Sequence, residues 1–178
     1  IRVGFVGELG YELHVPSSCG EALWDLLIEA GNAHEIRPFG VEAQRILRLE
    51  KGHIIIGQDT DAMTTPDEVG MTWAIAKYKP FFVGGRSIEL RRRYPSKRKL
   101  VGFTLSDTEA PLPEESNLVL RDDEMVGFVT SVARSPALDQ VIGLAYTAAD
   151  EAEPGQALSI KLSSGQIIEG TVVAPHFY

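Results

Sequence analysis

Residues 100–173 contain six short runs of strand-forming residues, and this spacing constrains the fold more than any other feature of the chain. The runs are Leu100–Leu105, Asn117–Arg121, Met125–Val132, Val141–Thr147, Ala157–Leu162 and Ile167–Val173. Asp122-Asp123, Glu153-Pro154-Gly155 and Ser163-Ser164-Gly165 separate them, and these residue types favour tight turns. The runs are too short for helices and the connections too short for parallel crossovers. They predict a small antiparallel barrel or sandwich.

The preceding half reads differently. Ser18-Cys19-Gly20-Glu21 has the form of a capping box. Apolar residues at helical spacing then predict a helix over 18–30, stopped by Gly31. Val41, Ala43, Ile46, Leu47 and Leu49 predict a second helix from Val41 to Lys51, closed by Gly52. His53–Gly57 reads as a short strand, Thr65-Pro66-Asp67-Glu68 as a helical turn, Met71–Ala76 as a strand carrying Trp73, and Ser87–Arg93 as a short basic helix. At the front, Ile1, Val3 and Phe5 meet a turn containing Gly7, Glu8 and Gly10. Beyond it, Tyr11, Leu13 and Val15 alternate with Glu12 and His14. Such a hairpin either turns its polar side to water or holds a carboxylate beside a glycine turn, where a flat ligand can approach the backbone.

Arg91, Arg92, Arg93, Lys97, Arg98 and Lys99 concentrate positive charge in a chain of net charge −8. We read this stretch as a solvated linker between two parts, residues 1–95 and 97–178. The acidic balance argues against nucleic acid or an anionic membrane as partner. No apolar run reaches the ~20 residues of a membrane span. A single cysteine, Cys19, excludes an internal disulfide and suggests a reducing compartment: the cytoplasm, or the mitochondrial matrix in a eukaryote. The four histidines are scattered without metal-ligand spacing, so no metal site is expected. Asp59 and Asp61 read as solvated or capping acids in a loop. No self-contained catalytic constellation emerges, and the chain, which opens in strand-like sequence without an initiator Met, reads as a C-terminal fragment of a longer protein.

A resemblance carries the reading further. Gly7-Glu8-Leu9-Gly10-Tyr11-Glu12-Leu13-His14-Val15-Pro16, Leu47-Arg48-Leu49-Glu50-Lys51-Gly52 and Gly57-Gln58-Asp59 through Trp73 resemble the glycine cleavage T-protein (aminomethyltransferase) superfamily. So do Leu100-Val101-Gly102-Phe103, Gly127-Phe128-Val129-Thr130-Ser131 and Ser135-Pro136-Ala137-Leu138. The resemblance implies an α+β fold: the end of a folate-binding domain, then a small antiparallel β-barrel. It implies tetrahydrofolate as cofactor and a small amine-derived one-carbon donor, with folate nitrogen attacking an aminomethyl or iminium-like carbon. Ile54-Ile55-Ile56-Gly57-Gln58-Asp59-Thr60-Asp61 and the ending Pro175-His176-Phe177-Tyr178 look closest to sarcosine oxidase alpha subunit, where a flavin-containing subunit or domain would be a partner.

In this family the acid matching Glu12 grips the pterin. A carboxylate accepts two parallel N–H bonds from such a planar edge. Phe5 stands where the family often has tyrosine, and Gln44 where T-proteins carry arginine. Glu8, His176 and Tyr178 are weaker candidates, and Arg48 is expected to be structural. The family's essential aspartate lies upstream of the hairpin and matches no position here, so no catalytic residue is assigned and the 178 residues alone are expected to be inactive. A folate-dependent demethylase of the same fold and a non-catalytic folate-binding scaffold or repair protein are the alternatives.

Overall fold

The computed structural model describes residues 1–107 and 109–178. The expected six strands form a closed, wholly antiparallel barrel: β1 Arg98–Leu105, β2 Leu118–Arg121, β3 Glu124–Ser135, β4 Gln140–Ala148, β5 Ala157–Lys161 and β6 Ile167–Val173. Their order around the barrel is β1-β4-β3-β2-β5-β6, and β6 pairs with β1 to close it. Closure leaves no free sheet edge. The sandwich alternative is thereby excluded.

Side-chain alternation sorts the barrel residues. Val101, Phe103 and Leu105 of β1 point inward with Val119, Val129, Ile160 and Val172, and all are nearly or fully buried. Fully burying such a side chain contributes about 1.5–3 kcal/mol. The strand β4 is buried on both faces. Val141 and Ala145 fill the barrel, whereas Ile142, Leu144 and Tyr146 face outward and pack with Leu49. This second cluster also takes in Ile54, Val69, Phe128 and Phe177. It seats the first half of the chain on the barrel wall.

That first half is mostly turns and short helices: α1 Gly20–Gly31, α2 Val41–Glu50 and α3 Gly85–Arg91. Helix α2 lies on β3 and β4, and its last turn, Arg48, Leu49 and Glu50, is buried. Helix α1 has no buried residue.

Several sequence expectations are corrected here. The front segment is a turn with a single antiparallel bridge, Arg2–Tyr11, rather than two strands. An isolated two-stranded ribbon gains little without a third strand beside it. The capping box at Ser18 does not form. A 3₁₀ turn over Ser17–Cys19 enters α1, Cys19 N–H bonds the Pro16 carbonyl, and no side chain caps the helix. Gly31 does not end the helical path, which continues through a 3₁₀ turn to Glu35 at φ 57°.

His53–Gly57 is not a strand, because the Asp59 carboxylate takes the Ile55 N–H that a ladder would use. Met71–Ala76 is a turn with a 3₁₀ segment over Thr72–Ala74. There, Met71 N–H bonds Pro66 O and Ala74 N–H bonds Met71 O. The basic helix starts two residues earlier than expected, at Gly85. The basic stretch is also less free than a solvated linker. Arg92 pairs with Asp67 at 3.1 Å, while Arg98 pairs with Glu68 at 3.3 Å and lies 4.4 Å from the Tyr146 ring centroid.

Candidate functional site

Two groups of polar residues are organised around the end of α2. The first is buried. Asp59 is fully inaccessible, which overturns its reading as a solvated loop acid. Its carboxylate accepts from Arg48 Nη1 at 2.8 Å, Ile55 N–H at 2.8 Å, Thr130 Oγ1 at 2.6 Å and Ser131 Oγ at 2.5 Å. The Ser131 hydroxyl also accepts from Arg48 Nη2 at 2.6 Å and from Gln58 Nε2 at 3.1 Å. Tyr146 O–H donates to the Asp59 carbonyl at 2.8 Å. Burial pulls the Arg48 guanidinium below its ordinary pKa, and the charge of Asp59 opposes that pull.

This network joins α2, the following loop, β3 and β4. A buried ion pair holds position best when its other polar atoms are hydrogen-bonded; the Asp59 oxygens are, whereas Arg48 Nε has no partner among the described residues. Around its rim, Arg45 Nη2 bonds Glu115 at 2.9 Å, and Gln58 Nε2 bonds Glu115 at 2.8 Å.

The second group is open to solvent and contains the hairpin candidates. Its spine is the C-terminus of α2. Gly52 has φ +70°, and a Cβ there would meet the Pro175 carbonyl at 1.8 Å. The terminal segment therefore crosses directly over the helix end, held by Phe177 N–H to Glu50 O at 3.0 Å. Lys51 then lies between tail and hairpin: its ammonium is 4.9 Å from the Tyr178 ring centroid. Its aliphatic stem occupies the space a Cβ on Gly7 would need, 2.3 Å from Lys51 Cγ. His53 Nδ1 donates to the Phe5 carbonyl at 2.6 Å. The Phe5 and His53 ring centroids are 6.5 Å apart.

Glu12 sits on the returning arm of this hairpin. Its backbone is paired in both directions with Ile1, each bond 2.8 Å. Its side chain is exposed, with Oε2 3.1 Å from His14 Nε2. Glu8 is exposed at the turn. Gln44 is half-buried on α2, one helical turn before Arg48. His176 is exposed in the tail.

Contacts thus bring Phe5, the hairpin turn and Tyr178 together through Lys51 and His53. Glu12 shares the hairpin, whereas Gln44 shares only the helix. Sequence reasoning assigned no role to Lys51 and His53 and read Asp59 as a solvated or capping acid. Each lies in or beside a motif quoted above, but the partners that position it are distant in sequence. A separate cleft of 770 Å³ lies between residues 61–68 and 91–98, and none of the candidate residues lines it.

Comparison with known proteins agrees with this architecture. Residues 1–79 match the GCVT N-terminal domain, and residues 98–178 match the glycine cleavage T-protein C-terminal barrel domain. An aminomethyltransferase of Halothermothrix orenii is 36% identical over 172 residues, covering 97% of this chain and 47% of the relative. The sarcosine oxidase subunit alpha of a Corynebacterium species (strain P-1) is 38% identical over 176 residues, covering 94% of this chain and 18% of the relative. The crystal structure of the glycine cleavage system aminomethyltransferase T from Bartonella henselae superimposes with a TM-score of 0.89 at 26% identity, over 99% of this chain and 48% of that one. The chain spans about half the length of the aminomethyltransferases it matches. Two family domains in the same order, a barrel of the corresponding topology and relatives along nearly the whole sequence establish that the chain belongs to the glycine cleavage T-protein (aminomethyltransferase) superfamily.

Proposed function

We propose that these residues form the C-terminal part of a tetrahydrofolate-dependent one-carbon transferase and contribute one wall of its folate site. The observation that carries this reading is the state of Glu12. Its carboxylate is exposed on a backbone fixed by paired hydrogen bonds, with His14 the one side chain seen against it among the described residues. Two carboxylate oxygens match the two parallel N–H donors on the pterin edge, and a charge-assisted pair of this kind is both strong and directional.

Phe5 offers a ring for the pterin face, and Gln44 offers an amide where T-proteins carry arginine. Glu8 and Tyr178 are secondary contacts at the rim. Tetrahydrofolate supplies the nitrogen that accepts the one-carbon unit from a small amine-derived donor. The residues here bind and orient it, while proton handling falls to a part of the protein outside these 178 residues. The chain alone is accordingly inactive and binds folate weakly. Its similarity to a sarcosine oxidase subunit alpha supports a variant in which a flavin-containing subunit or domain generates the one-carbon unit.

Titration of the product of the whole reading frame with tetrahydrofolate tests the assignment. Replacing Glu12 with Ala removes hydrogen bonds to a charged acceptor, each worth about 1.5–3 kcal/mol, so affinity should fall by at least about tenfold. Glu12→Asp should recover only part of it, because the shorter side chain misplaces the two acceptors. Equal affinity of wild type and Glu12→Ala would remove Glu12 from the site. A full-length protein that binds folate without one-carbon transfer would indicate the scaffold reading instead.

A further inference from the structure

We propose that His14 is a positioning residue for the folate-binding carboxylate: its Nε2–H holds one oxygen of Glu12 and turns the carboxylate toward the pterin edge before the ligand is bound. The inference rests on the folate reading of Glu12 and extends the site to a second side chain.

Local geometry carries it. Alternation along the returning arm of the hairpin puts Glu12 and His14 on one side, away from Tyr11, Leu13 and Val15. The structure brings the two side chains into contact, with His14 Nε2 3.1 Å from Glu12 Oε2. An ionised carboxylate offers only acceptors, so the hydrogen lies on Nε2. Both the Nε2–H tautomer and the imidazolium donate through that nitrogen.

The backbone of Glu12 is pinned on both sides to Ile1, each bond 2.8 Å. Its side chain reaches from that anchor into solvent, and its rotatable bonds are restrained, among the described residues, by His14 alone. A carboxylate has about four lone-pair sites. His14 occupies one of them, on Oε2, whereas the pterin edge needs one on each oxygen. Histidine and ligand therefore fit together on the same carboxylate without competing. Ordering a free glutamate on binding costs rotamer entropy, and a side chain already held in place avoids part of that cost. The expected gain is about three- to tenfold in affinity.

Tetrahydrofolate titration of the product of the whole reading frame tests it. His14→Ala should weaken binding by about three- to tenfold. His14→Gln, whose amide nitrogen reaches the place of Nε2, should return affinity to within about twofold of wild type, whereas the shorter His14→Asn should not. In a Glu12→Ala background, His14→Ala should change affinity by less than about twofold, because the histidine acts through that carboxylate. If Glu12→Ala weakens binding while His14→Ala matches wild type, the positioning role falls and the folate reading stands. Unchanged affinity in Glu12→Ala would overturn both. An equal loss from His14→Ala with and without Glu12 would overturn the positioning role, as would His14→Gln binding as weakly as His14→Ala.

Discussion

Glu12 and Asp59 are both carboxylates in the matched N-terminal region, and their surroundings are opposite. Asp59 is fully buried and accepts four hydrogen bonds, including one from the Arg48 guanidinium. Glu12 is exposed and, among the described residues, its carboxylate meets only a histidine two residues away. The same contrast separates their surroundings: the barrel wall is closed and densely hydrogen-bonded, whereas residues 1–40 bury nothing. An acid with every lone pair engaged can hold a fold together but has nothing left for a ligand. An acid fixed by its backbone and exposed at its tip has the reverse capacity.

The largest effect expected from breaking this comparison is at Asp59. Replacing it with Ala leaves Arg48 charged and buried without its partner, a loss of about 3–5 kcal/mol. Urea unfolding should show the midpoint fall at constant slope. A change below about 1 kcal/mol would mean that the network does not hold the two parts together.

A comparable loss is expected inside the barrel. Phe103 is completely buried, and Phe103→Ala should cost about 3–5 kcal/mol by the same measurement. In residues 1–178, Trp24→Ala should cost under about 0.5 kcal/mol despite removing a larger side chain, because Trp24 already lies in water. If Trp24→Ala matched Phe103→Ala, the two regions would not differ as described.

Gly52→Ala sharpens the comparison at the join. The new methyl needs a left-handed backbone and collides with the Pro175 carbonyl, so the tail must lift. A loss of about 1–3 kcal/mol is expected, with faster exchange of the Phe177 amide. Retained Phe177 protection would separate the tail from α2.

The smallest effect is one of pH. Burial raises the Tyr146 pKa, against the pull of its hydrogen bond with Thr64 and the charge of Arg98. The folded state therefore keeps a proton that the unfolded chain releases. Its contribution is fully present below about pH 10 and is lost as pH rises through the folded value. Stability of Tyr146→Phe should start lower, since Asp59 O loses a donor, and should decline less steeply above pH 10. A parallel decline would assign the alkaline loss to other groups.

What was legible in the sequence follows the same division. All six strands could be located because alternation and turn chemistry agree locally, and barrel closure rewards that agreement. Helix α2 was legible from Val41 to Gly52 for the same reason. The expected strands at residues 1–5, 11–15, 53–57 and 71–76 were not realised. Ile1–Phe5 and Tyr11–Val15 have strand periodicity but no third strand beside them. Ile54-Ile55-Ile56 has strand composition, yet a carboxylate four residues beyond Ile55 captures its amide.

The candidate site was partly legible. The hairpin turn and Glu12 stand out by pattern, while family resemblance supplied the ligand. Lys51 and His53 became visible only when Gly52, Pro175 and Phe5 were brought together in space. Asp59 was hidden because its partners Thr130 and Ser131 are more than 70 residues away.

The most direct measurement follows two properties of one variant. Glu12→Gln, in the product of the whole reading frame, keeps the size of the side chain and removes its charge. Tetrahydrofolate affinity should fall by about tenfold or more, while the melting temperature without folate stays within about 2 °C of wild type. Unchanged affinity would contradict the account, as would an affinity loss accompanied by a fall in melting temperature like that of Asp59→Ala.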